Sequence, residues 1–559
     1  MQPIRRFTTW LGSLPLLAIT WCLAGALSLW AVADLMVLKV SSGLANSTYD
    51  AMVRARFYAP PHDPRIVIVD IDESSLQAMA PEFGRWPWPR DTLATVLDHI
   101  EKQQPAAIAW DVIFSDADRL SPGGDKAFDD AAKRSTRSLF SVVRLPAQYD
   151  AQSQLTASML PGLWLSHDAA NLERPSLATP PFLPATNPPV KLATLAVIAP
   201  ILPAVAAAKL GYNNGYTDAD GVLRRYRYIE ALSDGSRIQS LALAVARTVQ
   251  TQNPKSIANY SYSNWADSSF RSKKDDLMVW RDAANSYPRI PFAQVFAQAE
   301  GGSSAAINFA GKIVLIGATA SSLHDIHPTP LSAQQAGVDS LATAMDNAIN
   351  DHHLAELPAA LQALLAVLLV SGMAAWALKR GLASLEPALL LLPAALLAVS
   401  YLSLNAGSLF VDLHLAAGVA LLFIAALKLW NGWRRNYWCG LPSDAKSELA
   451  ILRVDAQEPI TDAKLDRLIR RLELHAPQCR IIGGDASAVW PSTLRWPALL
   501  HRICIAGPAQ ELVKLRELLT QHNMLCSEPM AATQSEATLA QQAHRLLASD
   551  SHTMSTRTP

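Results

Sequence analysis

Cysteine is scarce in this chain of 559 residues, and it is unevenly placed. Only five cysteines occur, and none lies between Lys39 and Glu356, so no disulfide can crosslink that long stretch. Most of them lie late in the chain, at Cys439, Cys479, Cys504 and Cys526. Their spacing matches no zinc site, and unpaired thiols are typical of a reducing compartment.

An excess of charge of either sign is also lacking, because 48 basic residues balance 48 acidic ones. The balance gives no support to a nucleic-acid partner, and we expect none. Half of the residues are apolar, and their concentration in long runs is typical of a membrane protein with water-soluble parts. The length also exceeds that of most single domains.

Charged side chains are absent, or nearly so, from four long apolar runs. The first, Phe7 to Ala33, is longer than the roughly 20 residues that span a bilayer. It is also longer than the apolar core of about 7–15 residues in a cleaved signal peptide, so we predict a retained anchor. The other predicted membrane helices are Leu357 to Leu378, about Pro387 to Leu404, and about Leu409 to Trp430.

Charges that flank these runs predict their orientation. Basic pairs stand at one set of ends, at Arg5 and Arg6, Lys379 and Arg380, and Arg434 and Arg435. The linker from Asn405 to Ser408 carries no positive charge. Since basic residues favour the cytoplasmic side, residues 40–356 are predicted outside the cytoplasm and residues 431–559 inside it. The predicted parts are residues 1–39 (cytoplasmic tip and first membrane helix), 40–356 (outer domain), 357–430 (three membrane helices) and 431–559 (small α/β module).

The stretch IVIVDIDESSL, from Ile66 to Leu76, predicts a strand that is buried on both faces. Ser74 and Gln77 fit a capping box, so we expect a helix to start at Ser74. The runs from Ala106 to Phe114 and from Lys312 to Ala320 predict two further buried strands. A helix opening at Asp91 lies between the first two strands, which indicates a parallel-strand α/β core for the outer domain. The stretch from Gly211 to Ile229 predicts a hairpin that turns at Asp220 and Gly221.

Acidic and hydroxyl side chains follow the carboxyl ends of these strands. Asp70, Asp72, Asp111 and Asp325, with Thr329 nearby, form a candidate site for a small polar ligand. The alternative is that these acids cap helices and satisfy loop amides. A metal ion is not assigned: His324 and His327 flank Asp325 but stand in a loop without further ligand spacing.

Two other interpretations apply to parts of the outer domain. The run VDIDES is similar to the start of haloacid-dehalogenase-type phosphatases, but the lysine and second acidic pair of those enzymes have no clear counterpart. The run RWPWPR, from Arg85 to Arg90, offers either a ligand clamp or, as we expect, tryptophans that pack beneath the sheet.

The ordered motifs IVIVDIDESSL, RWPWPR, AAIAWDVIF, DADGVLRR, SLALAVAR, GKIVLIGATA, HDIHPTP and GVDSLATAMDNAI resemble the second type of CHASE domain. The resemblance spans nearly all of residues 45–356. It implies an extracellular sensor domain of the kind found ahead of cyclases and histidine kinases. With the predicted orientation, we expect a multi-pass protein of the bacterial cytoplasmic (inner) membrane whose sensor domain is extracytoplasmic.

The last part, from about residue 440, resembles a shortened GGDEF-type diguanylate cyclase domain through GLP, a strand ending in Asp455, and RIIGGDAS. The resemblance implies a degenerate nucleotide site at Asp455, Gly483, Gly484 and Asp485. The second acid of the signature is replaced by Ala486, so we expect little or no cyclase activity and no cofactor, with Mg²⁺ bound only if the domain is active. The alternative is an ordinary glycine hairpin in an unrelated α/β module.

These observations predict a receptor that senses an extracytoplasmic small ligand and relays the signal to a cytoplasmic partner by binding rather than by turnover. Homodimerisation suits such a mechanism, although no heptad run predicts it. Two alternatives stay open. One is an active diguanylate cyclase with a sensor input, and the other is a membrane assembly scaffold that senses no ligand.

Overall fold

The chain forms two compact units in a computed structural model. The sheet unit contains Gly43–Pro358 and Tyr401–Val411, and the helical unit contains Met1–Ser42, Ala359–Ser400 and Asp412–Pro559. The structure describes residues 10–58, 60–156, 159–163, 194–232, 237–251, 275–281, 287–302, 307–323, 325–352, 354–406, 409–439, 449–484, 500–522, 524–532 and 536–548.

Fifteen short or medium strands are described in the sheet unit. They are β1 (Ile66–Ile71), β2 (Ala107–Trp110), β3 (Ser138–Arg144), β4 (Val197–Ile198), β5 (Lys209–Tyr212), β6 (Arg225–Tyr226), β7 (Ile229–Ala231), β8 (Arg237–Gln239), β9 (Asp276–Leu277), β10 (Arg289–Pro291), β11 (Ile313–Ala318), β12 (Ile326–His327), β13 (Gln335–Ala336), β14 (Ala355–Glu356) and β15 (Leu409–Phe410). The α-helices are Ser42–Arg54, Glu73–Phe83, Arg90–Lys102, Gly124–Arg134, Pro203–Ala207, Leu241–Thr251, Phe292–Ala299 and Gly337–Ile349.

The centre of the sheet unit is a parallel sheet in the order β10-β1-β11-β2-β3-β5, with β4 antiparallel to β3. Strand β1 pairs with β11 along its whole length, and β11 pairs in turn with β2. Every residue of β1 and β2 is buried, which is typical of parallel strands covered on both faces. The predicted parallel-strand α/β core is confirmed.

An aromatic cluster fixes the end of β2. Trp110 lies 5.3 Å from Phe128 and 6.3 Å from Phe140 between ring centroids, and Phe114 stacks on Phe128 at 4.5 Å. None of these side chains is more than 2% exposed, and burial of such a side chain contributes about 1.5–3 kcal/mol. The cluster therefore holds in place the strand end from which Asp111 follows.

Tryptophan also packs beneath the sheet in the RWPWPR run. Trp88 is 2% exposed, and its ring lies 5.0 Å from that of Phe292. The Arg90 guanidinium forms an ion pair with Asp125. The packing interpretation of this run is confirmed for Trp88.

Three local predictions in the sheet unit are wrong. Asp72, not Ser74, is the N-cap residue of the Glu73–Phe83 helix, because its carboxylate accepts a hydrogen bond from the Ser75 backbone N at 2.8 Å. The strand predicted to reach Phe114 ends at Trp110, where the aromatic cluster begins. The expected hairpin has its turn, since Gly221 N donates to Asp218 O at 2.9 Å, but the flanking strands pair elsewhere: β5 with β3, and β6 with β9.

Among the described residues, four helices are long and apolar enough to cross a membrane: Leu16–Leu38, Ala359–Arg380, Leu382–Asn405 and His414–Trp438. The last of them begins later than predicted. Asp412 Oδ1 accepts a hydrogen bond from the His414 backbone N at 3.1 Å, and the preceding residues of β15 pair with β14 instead.

A small α/β module (the C-terminal module) completes the helical unit. Its strands are β16 (Leu449–Ile460), β17 (Arg480–Gly484), β18 (Leu500–Pro508), β19 (Met524–Cys526) and β20 (Met530–Ala531), and its helices are Asp462–His475, Ala509–Thr520 and Glu536–Ala548. The antiparallel order β17-β18-β16-β19 and the βαββαβ sequence of elements match the ferredoxin-like arrangement. The Glu536–Ala548 helix packs on one sheet face through Leu539 and Ala543, and the other two helices pack on the opposite face.

Candidate functional site

Asp70 lies at the carboxyl end of β1 and is already used by internal partners. Its Oδ1 accepts a hydrogen bond from the Thr319 hydroxyl at 2.6 Å, and its Oδ2 accepts one from Arg289 Nη1 at 3.1 Å. Arg289 also forms an ion pair with Asp339, in the first turn of the Gly337–Ile349 helix. Burial, with the nearby charge of Asp70, raises the pKa of Asp339 despite this arginine. Asp70 is therefore 4% exposed and links β1 to β10 and to the residue that follows β11.

Asp72 points into the helix that it caps. In addition to the backbone bond from Ser75, its carboxylate accepts a hydrogen bond from the Ser74 hydroxyl at 2.7 Å. Partial burial pushes the pKa of Asp72 upwards, but the hydrogen bonds from Ser75 and Ser74 outweigh it and hold the pKa below its ordinary value. The capping alternative describes Asp72.

Asp111 follows β2 and has a different environment. Its Oδ1 accepts a hydrogen bond from Asn213 Nδ2 at 2.7 Å, and Asn213 itself follows β5. Burial raises the pKa of Asp111 to about 6, and the nearby charge of Asp325 adds to the rise, although Asn213 and His327 oppose it. An acid that loses its proton so close to neutral pH is typical of a functional position.

A hairpin of β12 and β13 brings Asp325 and His327 towards Asp111. His327 Nε2 lies 3.3 Å from Asp325 Oδ1, and both side chains are close to half exposed. The hydrogen bond to Asp325 raises the pKa of His327 despite burial, and the charge of Asp111 adds to it. We call Asp111, Asn213, Asp325 and His327 the edge cluster, because they meet at the carboxyl edge of the sheet.

Two glycines allow this close approach. A Cβ on Gly337 would lie 2.3 Å from Asp325 Oδ2, and a Cβ on Gly317 would lie 2.7 Å from Val338 Cγ2. Real Cβ contacts are not that short, so a larger residue at Gly337 would turn the Asp325 carboxylate aside, and one at Gly317 would push the buried Val338, and with it the helix, from the sheet. The edge cluster thus depends on two glycines that have no side chain with which to bind a ligand.

Thr329 lies outside the edge cluster. Its hydroxyl bonds with the backbone of Ser332 at 3.2–3.3 Å, within the loop that joins β12 and β13. His324 lies outside the described residues. Within the described parts of the chain, no group of three or more His, Cys, Asp or Glu side chains is arranged to hold a metal ion.

The chemistry of the edge cluster follows from its donors and acceptors. Asp325 and His327 are accessible, and Asp111 lies beneath them with one oxygen held by Asn213. Carboxylates with an amide and an imidazole can bind an amine or a set of hydroxyls through several hydrogen bonds. Sequence reasoning missed Asn213 because only the parallel pairing of β5 with β3 carries it to this edge.

A second polar group, which we call the arginine junction, was also missed. Arg224 is 2% exposed and forms hydrogen bonds with Asp50 at 2.7 and 2.8 Å, with further ion pairs to Asp218 and Asp220. The neighbouring Arg225 pairs with Glu356 at 2.6 Å. The motif DADGVLRR holds both arginines and two of their acidic partners, but its spacing predicts a turn and not the ion pairs.

The C-terminal module holds the third candidate group. Asp455 accepts two hydrogen bonds from Arg453, at 2.8 and 2.6 Å, and Arg453 also donates to the carbonyl of Leu546. Gly483 and Gly484 end β17, and Asp485 lies outside the described residues. Arg453 therefore engages both carboxylate oxygens of Asp455 as a bidentate pair.

Comparison with known proteins gives one family. A family model described as the CHASE2 domain matches residues 22–376, which is more than half of the chain. The matched range includes the whole parallel sheet, the edge cluster and the arginine junction. No curated protein and no solved structure matches the chain.

Proposed function

The chain belongs to the CHASE2 domain family, a family of sensor domains, and from this we propose that it is a membrane-anchored signal-transduction receptor. The sheet unit receives an extracytoplasmic stimulus, the four apolar helices anchor it, and the C-terminal module delivers the output in the cytoplasm. The ligand site is the edge cluster, and it takes a small polar molecule that carries an amine or several hydroxyls.

The distribution of charge supports this orientation. Lys379 and Arg380 end one candidate membrane helix, and Arg434 and Arg435 stand near the end of another. The opposite connection, Tyr401–Val411, has no basic residue and belongs to the sheet unit, where β15 pairs with β14. Basic residues favour the cytoplasmic face of a membrane, so the sheet unit belongs on the other face.

The arginine junction is the observation that carries the proposal. Asp50 lies in the Ser42–Arg54 helix, which follows the first candidate membrane helix, and Glu356 immediately precedes the second. Arg224 and Arg225 hold these two acids through buried or partly buried ion pairs. Because packed elements shift as rigid bodies rather than deform, a ligand that moves the hairpin or sheet shifts both membrane-proximal segments together.

The output is binding rather than turnover. Within the helical unit, Arg434 donates to Glu473 at 2.8 Å and Arg435 donates to Asp466 at 3.1 Å, so the last membrane helix is tied to the Asp462–His475 helix. Arg470 of the same helix donates to the carbonyl of Leu378, near the end of another membrane helix. The engagement of Asp455 by Arg453 supports a degenerate rather than active cyclase-like domain.

Two measurements test the proposal. Topology reporters inserted at residue 200 and residue 500 should indicate opposite sides of the membrane; the same side for both would end the receptor interpretation. The purified chain should convert no GTP to cyclic di-GMP with Mg²⁺ present, and turnover would contradict the non-catalytic output while leaving the sensor assignment intact.

A further inference from the structure

The last turn of the Ala359–Arg380 membrane helix has the side chains of a membrane interface. Trp376 stands three residues before Lys379 and four before Arg380, so the three share one stripe of the helix, and all of them are exposed. The Arg380 guanidinium lies 5.4 Å from the centroid of the Trp376 ring, within reach of a cation–π contact. Tryptophan beside basic residues is typical of the level of the lipid headgroups.

The Asp462–His475 helix of the C-terminal module meets the same helix end. Arg470 Nη1 donates a hydrogen bond to the carbonyl oxygen of Leu378 at 2.7 Å. Leu378 is two residues beyond Trp376, which is about 3 Å along the helix axis. Arg470 is exposed, and its bond to a neutral carbonyl leaves the positive charge of the guanidinium unbalanced. Arg470 therefore stands at the same level as the interfacial stripe.

The acidic side chains at this end of the helical unit are already paired with other cations. Each forms an ion pair with the last membrane helix: Glu386 with Lys428, Asp466 with Arg435, and Glu473 with Arg434. Within the described parts of the chain, no acidic side chain pairs with Lys379, Arg380 or Arg470. Three neighbouring positive charges thus have no counter-ion from the protein.

An exposed leucine accompanies these charges. Leu474 stands one turn beyond Arg470 and is 68% exposed, whereas the other leucines and the isoleucine on one face of this helix pack into the core of the module. An apolar side chain beside basic ones, on a helix with a separate buried face, is typical of a helix that lies on a membrane surface.

We propose that the C-terminal module docks on anionic phospholipid through Lys379, Arg380, Arg470 and Leu474. The headgroup phosphates contact the basic side chains, because phosphate accepts the planar donor fork of arginine, and Leu474 enters the boundary with the acyl chains. A lipid is favoured over a soluble anion because this surface continues directly from a membrane helix. The proposal rests on the membrane anchoring proposed above, but not on what the sheet unit senses.

Native mass spectrometry of the full chain in neutral detergent, titrated with phosphatidylglycerol or with phosphatidylcholine, measures this binding. We expect phosphatidylglycerol to bind about tenfold more tightly or better. The double variant R380Q/R470Q should lose about tenfold or more in affinity for phosphatidylglycerol, since each basic residue near an anionic surface contributes about fivefold. The matched control R516Q/R545Q removes two arginines from the other helices of the module and should stay within about twofold.

The apolar part of the surface has its own pair of variants. In nanodiscs that contain phosphatidylglycerol, Leu474→Gln should speed the release of the C-terminal module by limited proteolysis severalfold. Val513→Gln changes another exposed apolar residue, on the Ala509–Thr520 helix, and should leave that rate unchanged. Equal rates for the two variants would contradict the insertion of Leu474.

Equal affinity of the natural chain for the two lipids, or equal losses in both double variants, would overturn the proposal. Should R380Q/R470Q fail to fold, K379Q/R380Q decides the question with the same expected loss, because those two side chains are exposed. Competition by glycerol 3-phosphate at the lipid's own concentration would assign the surface to a soluble anion and also overturn it. Flotation with liposomes separates the two failures: a chain that does not float contradicts the membrane anchoring itself, whereas a floating chain without lipid preference contradicts only the docking.

Discussion

Replacing Asp111 with Asn should stabilise the sheet unit at neutral pH. Asp111 is held among other side chains at the carboxyl edge of the sheet, and its charged form is disfavoured by burial and by Asp325. Asn has the same shape, and its carbonyl oxygen can still accept the hydrogen bond from Asn213. The variant therefore removes the unfavourable charge and keeps the favourable contact.

The size of the effect follows from the shift in the pKa of Asp111. A rise from 3.8 to about 6 corresponds to about 3 kcal/mol, at about 1.4 kcal/mol for each unit of pKa. This is an upper bound, because solvent reaches the half-exposed Asp325 nearby. Since the folded-state pKa is the higher one, the protonated carboxyl contributes stability below about pH 4, and that contribution is lost as the pH rises through about 6.

Thermal unfolding of the full chain in nanodiscs, measured by calorimetry from pH 4 to pH 8, checks this prediction. The Tm of the two forms should nearly coincide near pH 4, and the variant should melt several degrees higher at pH 8, since about 1 kcal/mol shifts Tm by about 2–4 °C in a domain of this class. A variant that melts lower than the natural chain at pH 8 would refute the reasoning. The variant should at the same time lose ligand response, since stabilising changes at functional sites commonly reduce function.

Three further predictions concern the contacts that organise the two units. The change Arg224→Met leaves its acidic partners uncompensated and should lower the unfolding free energy of the sheet unit by about 3–5 kcal/mol in urea; a loss below about 1 kcal/mol would contradict the buried network. Gly337→Ala places a methyl group 2.3 Å from an Asp325 carboxylate oxygen and should turn that side chain aside and lower ligand response, whereas Gly123→Ala, with open space around its Cβ, should leave the response unchanged. Glu473→Ala leaves the buried Arg434 without its ion pair, and limited proteolysis should release the C-terminal module more readily, with an unchanged rate arguing against that link.

The two central strands of the sheet, β1 and β11, were predictable because they are buried on both faces. Parallel strands inside an α/β sheet read as uninterrupted runs of Val, Ile and Leu, and the runs at Ile66 and Ile313 have that pattern. The Asp462–His475 helix of the C-terminal module is predictable in the same way, since Leu465, Leu468, Ile469 and Leu472 follow helical spacing and pack into one core. For these elements, the apolar pattern of the sequence correctly predicts the strand or helix because burial of those residues decides the structure.

The roles of individual acids were not predictable in the same way. Asp70, Asp72 and Asp111 all lie at or just beyond the carboxyl ends of strands at the same edge, but they differ in what the tertiary structure places beside them. Asp70 meets an arginine from β10, Asp72 meets the amides of its own helix, and Asp111 meets an amide that arrives from β5. Only the second of these encounters is local in sequence, so only the cap could have been derived from spacing.

The arginine junction shows why an ion-pair network suits the position between a sensor and its membrane helices. An apolar contact of the same size would tolerate many relative positions, because dispersion is non-directional. The Arg224 guanidinium instead has donors in fixed directions, and it meets Asp50 through two of them. Displacing that helix breaks both bonds while the charges stay buried, so loosely held positions are penalised. A well-defined junction suits a receptor, because a ligand shifts an equilibrium only between states that it binds with different affinity.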